Sequence, residues 1–327
     1  MICLGIESTA HTLGIGIVDD NGKVLANEKS TFTTEKGGIH PRKAAEHHLL
    51  MYQFVLERAL KSAKVKLTDI NLIAFAQGPG LGNCLRIGAV AARSLSSLLK
   101  IPILGVNHCC AHVSIGQLTS GFKDPITLYV SGANTQILAL ASGRLRVFGE
   151  TLDIGVGNFL DVIGRAMDLG FPAGPVIDKM AKGKRTYIEL PYTIKGMDFA
   201  FSGIQTKVEQ LINTKKYKTE DLCFSAQETV FAELTEATER AIAHINKNEI
   251  LLTGGVAANS RLQKMLKIMS KERGVKFAVV PRALAGDNGA MIAWQGILEH
   301  KAGRKQTIKQ TKIDQHWRTD DVDVTWI

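Results

Sequence analysis

Short apolar runs separated by turn residues recur twice along the chain in the same order. They predict strands at residues 2–7, 13–18 and 23–26 and again at 126–131, 135–140 and 144–148. Each set of three is followed by a buried strand that runs into a glycine turn and a helix, at 71–99 and at 249–271. The pattern therefore predicts one structural plan used twice.

Longer segments show helical periodicity between and after these strands. They lie at residues 41–64, 159–170, 220–246 and 287–300. Strands that alternate with helices predict an α/β protein with largely parallel sheets. The duplication predicts two lobes around a nucleotide cleft, residues 1–124 and 125–327, with the last helix and tail as candidates to pack back on the first lobe. From residue 301 onward the periodicity is lost, which predicts an extended or loosely packed arm.

Composition narrows the class of protein. The chain has 327 residues, of which 45% are hydrophobic, enough for a large core or two cores. No apolar run approaches the roughly 20 residues that cross a bilayer, and the first residues resemble a strand rather than a leader, so we expect a cytoplasmic protein with no membrane partner. The five cysteines form no CxxC pair, which argues against a disulfide framework or a zinc ribbon.

The chain is basic, with 40 Lys and Arg against 31 Asp and Glu and a formal charge of +9. The excess is spread along the sequence, with local basic runs at 182–185, 215–218 and 301–312. Such a balance fits either simple solubility or a polyanionic partner such as RNA. No aromatic-rich nucleic-acid motif accompanies it, so charge alone does not decide between the two.

The strongest chemical signal is a pair of histidines, His108 and His112, directly after the apolar run at 101–106. If a helix begins here, the two imidazoles share one face and both can reach one metal ion. Asp287, at a predicted helix start, is the best candidate for a third ligand, and Tyr129 is a further candidate from the second lobe. Nitrogen and oxygen ligands together fit iron, zinc or another transition metal. Capping or core roles for these residues remain the alternative.

Glycine-rich turns at strand ends are candidate ligand sites. The turn Ser131-Gly132-Ala133-Asn134 offers amides and hydroxyls to a phosphate or carboxylate, and the matching turn of the first lobe would aim Glu7 into the cleft. The turn at 254–259 brings backbone close to a flat ligand, where Asn259 can bond a ribose or a base edge. Each also fits an ordinary structural turn.

Asp161, Gly174 and Asp178 lie in glycine-rich helix openings, where a carboxylate either bonds nucleotide hydroxyls or caps a helix. Known catalytic motifs are missing from the sequence. There is no Walker loop, dinucleotide fingerprint, Gly-x-Ser-x-Gly elbow or HExxH helix. We therefore assign no catalytic base and no covalent nucleophile.

Several motifs stand in an order typical of one family. They are Thr33-Thr34-Glu35-Lys36-Gly37-Gly38-Ile39-His40-Pro41, Gln77-Gly78-Pro79-Gly80, Asn107-His108 through His112, Tyr129-Val130-Ser131-Gly132-Ala133, Phe201-Ser202-Gly203 and Gly254-Gly255-Val256-Ala257-Ala258-Asn259. From about residue 2 to the C-terminus the chain resembles the universal tRNA threonylcarbamoyladenosine transferases, in their archaeal and eukaryotic KEOPS-complex branch.

The resemblance implies an actin/Hsp70/sugar-kinase-like (ASKHA) duplicated fold and an acyl transfer. The threonylcarbamoyl group of threonylcarbamoyl-AMP would pass to the N6 amine of the adenosine beside the anticodon, in tRNAs that read codons beginning with A. The implied partners are tRNA, the adenylate, and the kinase subunit and small dimerising subunit of KEOPS. Asp178 stands where many relatives carry Glu, and Ser8 where many archaeal relatives have Gly.

The resemblance also implies site residues. One divalent metal per subunit, iron or zinc with magnesium as a further candidate, would be held by His108, His112, Tyr129 and Asp287. The adenylate would contact Tyr129, Val130, Ser131, Gly132, Ala133, Asp161, Gly174, Asp178 and Asn259.

Three other functions are compatible with parts of the pattern. An ATPase or small-molecule kinase on the same fold would need a catalytic Asp in the first strand-turn, where Glu7 stands. A metallopeptidase would need an acid near the histidines, and residues 107–118 contain none. A non-catalytic RNA-binding assembly subunit would bind no adenylate tightly.

Overall fold

The computed structural model describes residues 1–34 and 39–326, which divide into two compact units. The first unit comprises Met1–Leu118, Ala141–Leu145 and the chain from Asp287 onward, and the second comprises Thr119–Leu140 and Arg146–Gly286. Residues 35–38 of the motif at 33–41 lie outside the described residues. A division into separately folding domains near residue 124 stays a prediction.

Ten strands and ten helices make up the described chain apart from short 3-10 turns. The strands are β1 Ile2–Glu7, β2 Thr12–Asp19, β3 Val24–Thr31, β4 Leu72–Gly78, β5 Ile103–Asn107, β6 Ile126–Val130, β7 Thr135–Ala141, β8 Arg144–Glu150, β9 Glu249–Thr253 and β10 Lys276–Val279. The helices are α1 Pro41–Ala63, α2 Gly82–Leu99, α3 His108–Ser120, α4 Val156–Ala166, α5 Gly174–Met180, α6 Ser202–Thr214, α7 Thr219–Ile245, α8 Ser260–Glu272, α9 Arg282–Ala285 and α10 Gly289–Lys301. None of the described helices is both long and apolar enough to span a bilayer.

The two sheets have the same topology. The first has the order β3-β2-β1-β4-β5 and the second has the order β8-β7-β6-β9-β10. In each, the first strand pairs antiparallel with the next strand along the chain and parallel with the strand that follows the helical crossover. The duplication predicted from the apolar pattern is confirmed.

Both faces of the first sheet are covered, and the residues of β1 alternate between them. Leu4 and Ile6 belong to a buried apolar cluster with residues of α1 and α2. Gly5 lies on the other face, where a Cβ atom would come within 2.3 Å of the Ala293 backbone nitrogen of α10. In β2, a Cβ at Gly16 would lie 2.1 Å from the Ala290 nitrogen. Only glycine at these positions lets α10 approach the sheet so closely.

The second unit has its core between its sheet and helices α4, α6, α7 and α8. Its buried residues are mostly aliphatic, and Phe159, Phe201 and Phe231 are fully buried among them. The long helix α7 contributes much of this core through one buried face. The second sheet therefore also has apolar helices packed on it. The prediction of largely parallel sheets was wrong: both sheets are mixed, because β1 and β6 each pair antiparallel with one neighbour and parallel with the other.

The C-terminal segment is extended and mostly exposed, but hydrogen bonds anchor it to the first unit, so a loosely packed arm is not what the structure has. The side chain of Gln77, at the end of β4, donates from Nε2 to the Lys312 carbonyl oxygen at 2.7 Å. The backbone nitrogen of Asp314 donates to the Gln77 carbonyl oxygen at 2.9 Å. A Cβ at Gly78 would lie 1.8 Å from the Asp314 carbonyl oxygen. The glycine turn after β4 thus accommodates the C-terminal segment.

A buried histidine in α1 predicts a pH dependence of folding stability. His48 is fully buried, and its Nε2 donates to the Ala10 carbonyl oxygen at 3.0 Å. Burial, with the nearby His47, lowers the pKa of His48 from 6.5 to about 4. Between these values the unfolded chain binds a proton that the folded chain does not, so stability falls as pH drops from 6.5 towards 4. The full contribution is about 3 kcal/mol.

We expect His48→Gln to flatten that part of the pH dependence, since an amide carries no titrating charge. Urea unfolding of wild type and variant at several pH values between 4 and 7 measures it. His316→Gln, at an exposed position, is the control and should follow the wild type. A His48→Gln variant that loses stability with acid as steeply as the wild type would show the prediction to be wrong.

Candidate metal centre and ligand turns

The two histidines are placed by a helix cap at the end of β5. The side-chain oxygen of Asn107 accepts the backbone N–H groups of Cys109 and Cys110 at 2.9 and 3.2 Å. This cap starts α3 at His108, so His108 and His112 lie one turn apart on the same face. Both are buried, and their ring centroids are 4.8 Å apart. The predicted helix start after residue 107 is where the structure has it.

Asp287 reaches the histidines because α10 begins against β1 and β2. Asn288 caps α10 by accepting the Met291 backbone N–H at 3.1 Å, and Asp287 directly precedes this cap. The Asp287 Oδ1 atom lies 3.4 Å from His112 Nε2 and 3.5 Å from His108 Nε2. The structure therefore brings together three predicted site residues that are far apart in sequence.

The donor set fits a transition metal. One ligand atom from each of His108, His112 and Asp287 lies within 4.8 Å of the others. Two ligands at about 2.1 Å from an ion in tetrahedral geometry lie about 3.4 Å apart. The distances from Asp287 to the two imidazoles, 3.4 and 3.5 Å, are close to that value. Two imidazoles and one carboxylate suit zinc or iron better than magnesium, which prefers oxygen ligands throughout.

Glu7, at the end of β1, holds the far side of His108. Its Oε2 accepts from His108 Nδ1 at 2.8 Å, and its Oε1 accepts from the Thr9 backbone nitrogen and hydroxyl at 2.6 and 2.5 Å. Glu7 is fully buried. With Nδ1 bound to Glu7, the Nε2 atom of His108 is directed towards Asp287. Carboxylates in this position fix the orientation and tautomer of metal-binding histidines.

Sequence analysis placed Glu7 at the end of a strand but did not connect it with His108. The sheet makes the connection, because β1, β4 and β5 are parallel neighbours and their carboxyl ends meet at one edge. Glu7 ends β1 and His108 follows β5. This strand order was the signal that could have linked the two residues.

The four side chains set each other's charge. Burial disfavours a charged His108, but the Glu7 carboxylate outweighs it and raises the pKa of His108 to about 9. Burial lowers the pKa of His112 despite its hydrogen bond to Asp287. Burial opposes charge on Asp287 as well, yet the hydrogen bond from His112 and the charge of His108 bring its pKa far below the usual range. The neighbouring carboxylates thus favour positive charge on His108, whereas burial disfavours it on His112.

A second group of predicted residues lies in the second unit, at the end of β6. Tyr129 and Val130 are fully buried, and the Tyr129 hydroxyl accepts from Asn134 Nδ2 at 3.5 Å. The Ser131 hydroxyl accepts the Asn134 backbone N–H at 3.0 Å and so holds the turn, whose Gly132 is exposed. Tyr129 belongs to the second unit, and its role as a metal ligand stays a prediction.

The same turn lies against the start of α4. The Gly157 and Asn158 backbone nitrogens donate to the carbonyl oxygens of Ser131 and Gly132 at 3.1 and 2.9 Å. A Cβ at Gly157 would lie 2.7 Å from the Ser131 carbonyl oxygen. The predicted ligand turn is therefore fixed at a helix N-terminus, and its carbonyl oxygens accept the first N–H groups of that helix.

Of the other predicted ligand residues, Asp161 and Asp178 each contact the start of a neighbouring helix. Asp161 Oδ1 accepts the Ala173 backbone N–H at 2.8 Å, beside Gly174 at the start of α5. Both carboxylate oxygens of Asp178 lie 3.3 Å from the Ser260 hydroxyl, at the start of α8. Two carboxylates on α4 and α5 are thus each held next to the N-terminal end of a neighbouring helix.

Asn259 has a structural role that sequence analysis did not assign. Its Oδ1 accepts the Arg261 and Leu262 backbone N–H groups at 2.9 and 3.3 Å and so caps α8. Its Nδ2 donates to Gln227 Oε1 at 2.8 Å. The side chain thereby uses at least three of its four hydrogen-bonding positions within the protein. Contact with a ribose or base edge remains a prediction.

Known proteins that are similar to this chain are named for the same tRNA modification. The family described as "TsaD: tRNA N6-adenosine threonylcarbamoyltransferase" matches residues 23–294. A protein named tRNA N6-adenosine threonylcarbamoyltransferase from Thermococcus sibiricus is 58% identical over 326 residues, covering 100% of both chains. A protein from Methanobrevibacter smithii named "Probable bifunctional tRNA threonylcarbamoyladenosine biosynthesis protein" is 51% identical, covering 100% of this chain and 60% of its own length.

Among solved structures, HypF of T. kodakarensis has a TM-score of 0.63 with 16% identity, covering 95% of this chain and 49% of HypF. At that identity the similarity concerns the fold alone. The predicted duplicated fold of the actin/Hsp70/sugar-kinase-like class is confirmed.

The Glu7–His108 hydrogen bond predicts an effect on metal affinity. We expect Glu7→Gln to weaken binding of zinc or iron by about 10- to 100-fold, because the amide no longer holds His108 as a carboxylate does. Competition with a chromophoric chelator measures this affinity without any need for activity. Glu28→Gln, the same change near the surface of β3, is the matched control and should bind the ion as the wild type does. Equal affinities of wild type and Glu7→Gln, at unchanged melting temperature, would argue against the role of Glu7.

Proposed function

This chain belongs to the TsaD family of tRNA N6-adenosine threonylcarbamoyltransferases, and on that premise we propose that it is the acyltransferase which modifies the adenosine beside the anticodon. Its substrates would be threonylcarbamoyl-AMP and tRNAs that read codons beginning with A. The observation that carries the proposal is the full-length similarity, 58% identity over 100% of both chains. The group of His108, His112 and Asp287, which could hold a metal ion, is consistent with it.

We propose that His108, His112 and Asp287 hold one divalent ion, iron or zinc. When bound, such an ion supplies Lewis-acid polarisation of a carbonyl or phosphate oxygen. The protein's own part is to fix the ligands: the Asn107 cap sets the start of α3, Glu7 orients His108, and the packing of α10 on the sheet places Asp287, which precedes the cap of α10. A bound ion must displace the proton that the Glu7 carboxylate stabilises on His108.

The second unit would bind the adenylate. The turn at 131–134 lies at the N-terminus of α4, whose helix dipole favours a phosphate, while the Gly157 and Asn158 N–H groups themselves bond carbonyl oxygens of the turn. Asp161 and Asp178 are carboxylates suited to ribose hydroxyls, and Asp178 is already held by Ser260. Many relatives carry the longer Glu in place of Asp178. The Asp178 carboxylate, with Ser260 beside it, would still reach a ribose hydroxyl. These assignments are proposals for substitution analysis.

Acyl transfer from this substrate does not need a protein nucleophile. The threonylcarbamoyl group arrives as a mixed anhydride, so the adenosine amine can attack its carbamoyl carbon and AMP can leave. Side chains that position the two substrates and stabilise the developing charge then account for catalysis. This agrees with the lack of nucleophile motifs in the sequence.

The kinase or ATPase alternative is less well supported. It needs a catalytic carboxylate in the turn after β1. The carboxylate in that region, Glu7, is fully buried and bonded to His108 and Thr9. A carboxylate committed in this way is poorly placed to accept a proton from a substrate hydroxyl.

Reconstitution tests the proposed function. The purified chain would be combined with tRNA, threonine, bicarbonate, ATP and an adenylate-forming enzyme, with and without candidate partner subunits, and the tRNA nucleosides analysed. We expect threonylcarbamoyladenosine to appear with the wild type. The His108→Ala/His112→Ala double variant should lose at least about 100-fold in rate, since no ligand pair remains. Full activity of that variant in metal-free buffer would contradict the metal role, and no product under any condition would contradict the function.

We also propose that the first unit docks the small dimerising subunit of KEOPS and the second unit the kinase subunit. Helix α1 exposes large apolar side chains, with Leu50 80%, Leu49 65% and Phe54 51% exposed. Helix α2 adds Leu98, which is 71% exposed. Apolar side chains grouped in this way are typical of a protein–protein interface.

Leu50→Asp should weaken association with the small subunit by at least about 10-fold, because a charge would be buried in an apolar interface. Titration calorimetry with the purified small subunit measures this. Ile268→Asp on α8, at a site 47% exposed in the second unit, is the matched control and should bind the small subunit normally. Normal binding by Leu50→Asp as well would place the interface elsewhere.

A further inference from the structure

Two basic runs that are far apart in sequence meet at the first turn of α7. Lys215, Lys216 and Lys218 directly precede the helix, which begins at Thr219. The other run, at 182–185, reaches the same place, because the Thr186 backbone nitrogen donates to Asp221 Oδ1 at 3.0 Å. Neither basic run by itself indicates that the two meet.

A second observation supports the meeting of the two runs. Burial raises the pKa of the Cys223 thiol, in the first turns of α7, to about 12, with Glu220 adding to the shift and the guanidinium of Arg185 opposing it. Arg185 is itself held by a hydrogen bond from Nε to the Met180 carbonyl oxygen at 2.9 Å. Its charge is therefore fixed beside the start of α7.

Positive charge exceeds negative charge at this place. We call the α7 basic patch the set Lys182, Lys184, Arg185, Lys215, Lys216 and Lys218, with Tyr187 and Tyr217. All its lysines are exposed. Its six basic residues outnumber the four acids nearby, which are Asp178, Glu189, Glu220 and Asp221. Asp178 pairs with Lys182 at 3.4 Å, and Asp221 bonds the Thr186 backbone. The helix N-terminus adds further positive potential.

The patch also presents aromatic rings. Tyr217 lies within the second run and is 43% exposed, and Tyr187 is 51% exposed. The Tyr187 hydroxyl is bonded to the Thr229 hydroxyl at 2.9 Å, two turns further along α7. Lysines alone would fit many polyanions, whereas the held Tyr187 and the exposed Tyr217 among the lysines fit a polyanion with exposed bases.

The segment that carries Tyr187 is fastened along α7. The Ile188 backbone nitrogen donates to the Ser225 hydroxyl at 2.8 Å. Further along, the Thr193 backbone nitrogen and hydroxyl donate to the Glu233 carboxylate at 2.7 and 2.9 Å. Ser225, Thr229 and Glu233 follow one another at four-residue spacing on one face of the helix. The aromatic and basic groups therefore stand on a supported surface.

We propose that the α7 basic patch binds the phosphate backbone and unpaired bases of the substrate tRNA. The proposal rests on the proposed function, from which it takes its polyanion. It adds the position of the tRNA-binding surface, which the basic composition of the whole chain did not indicate. An acidic protein surface would use the lysines but not the exposed tyrosine rings.

Charge removal tests the patch. The variant Lys215→Gln/Lys216→Gln/Lys218→Gln should weaken tRNA binding by at least about 10-fold and lower the slope of log affinity against log salt by about 2. Fluorescence anisotropy with labelled tRNA at several salt concentrations measures both quantities. The matched control is Lys264→Gln/Lys267→Gln/Lys271→Gln, which removes the same charge from the exposed face of α8. It should change the affinity less than about 2-fold, because these lysines lie outside the patch.

Two tyrosine variants test the stacking. Tyr217→Leu should weaken tRNA binding by about 5-fold or more, while Tyr217→Phe, which keeps the ring, should bind as the wild type does. Equal weakening by both would contradict stacking.

The outcomes distinguish a failure of the patch proposal from a failure of the proposed function. If the wild type binds and modifies tRNA and the lysine variant binds it equally well, the patch is wrong and the proposed function stands. If the lysine variant keeps tRNA binding but loses an acidic partner subunit, the surface is a protein interface and the proposal is overturned. If the wild type neither binds nor modifies tRNA, both proposals fall.

Discussion

The close packing of α10 on strands β1 and β2 is the constraint on which the site depends. Gly5, Gly14 and Gly16 leave no side chain between sheet and helix, so the first turn of α10 lies against the strands themselves. Asp287, just before that turn, is thereby held at the edge of the sheet where β1 ends. A larger residue at Gly16 would meet backbone atoms of Gly289 and Ala290 within 2.4 Å. The helix would have to move, and Asp287 with it.

The group at that edge is costly to bury without mutual compensation. Glu7 is fully buried, and Asp287 has a side chain 17% exposed. Two carboxylates in such surroundings require partners. His108 lies between them and bonds Glu7, while His112 bonds Asp287. A divalent ion at the three ligand atoms would replace a proton as the compensating charge, so the site combines a structural need for positive charge with an affinity for metal.

Sequence alone anticipated the parts of the structure that depend on local pattern. The apolar runs gave the repeated strand order because each strand alternates or is buried throughout. A helix start at His108 was the condition under which the two histidines were expected to share one face. Sequence alone missed what depends on contacts between distant segments. Nothing in the sequence near Asp314 indicates that this segment occupies the turn at Gly78. Helix α6, Ser202–Thr214, was not predicted, because its sequence is mostly polar and its buried residues are only Ile204, Val208 and Leu211. The link from Glu7 to His108 needed the strand order.

The ligand residues of the second unit show the same limit. Asn259 fits both a nucleotide contact and a helix cap, and a sequence cannot say which hydrogen bonds the side chain already makes. In the structure the Asn259 side chain caps α8. The two basic runs were visible in the sequence, but their meeting at α7 follows from the bond between Thr186 and Asp221.

The central claim is that His108, His112 and Asp287 bind one metal ion. Crystals of the protein prepared with zinc or iron, with diffraction data collected on both sides of the metal's absorption edge, test it most directly. The account predicts one strong anomalous peak at about 2.0–2.2 Å from His108 Nε2, His112 Nε2 and an Asp287 oxygen. A metal-loaded crystal with its peak elsewhere, or with none at these three atoms, would contradict it.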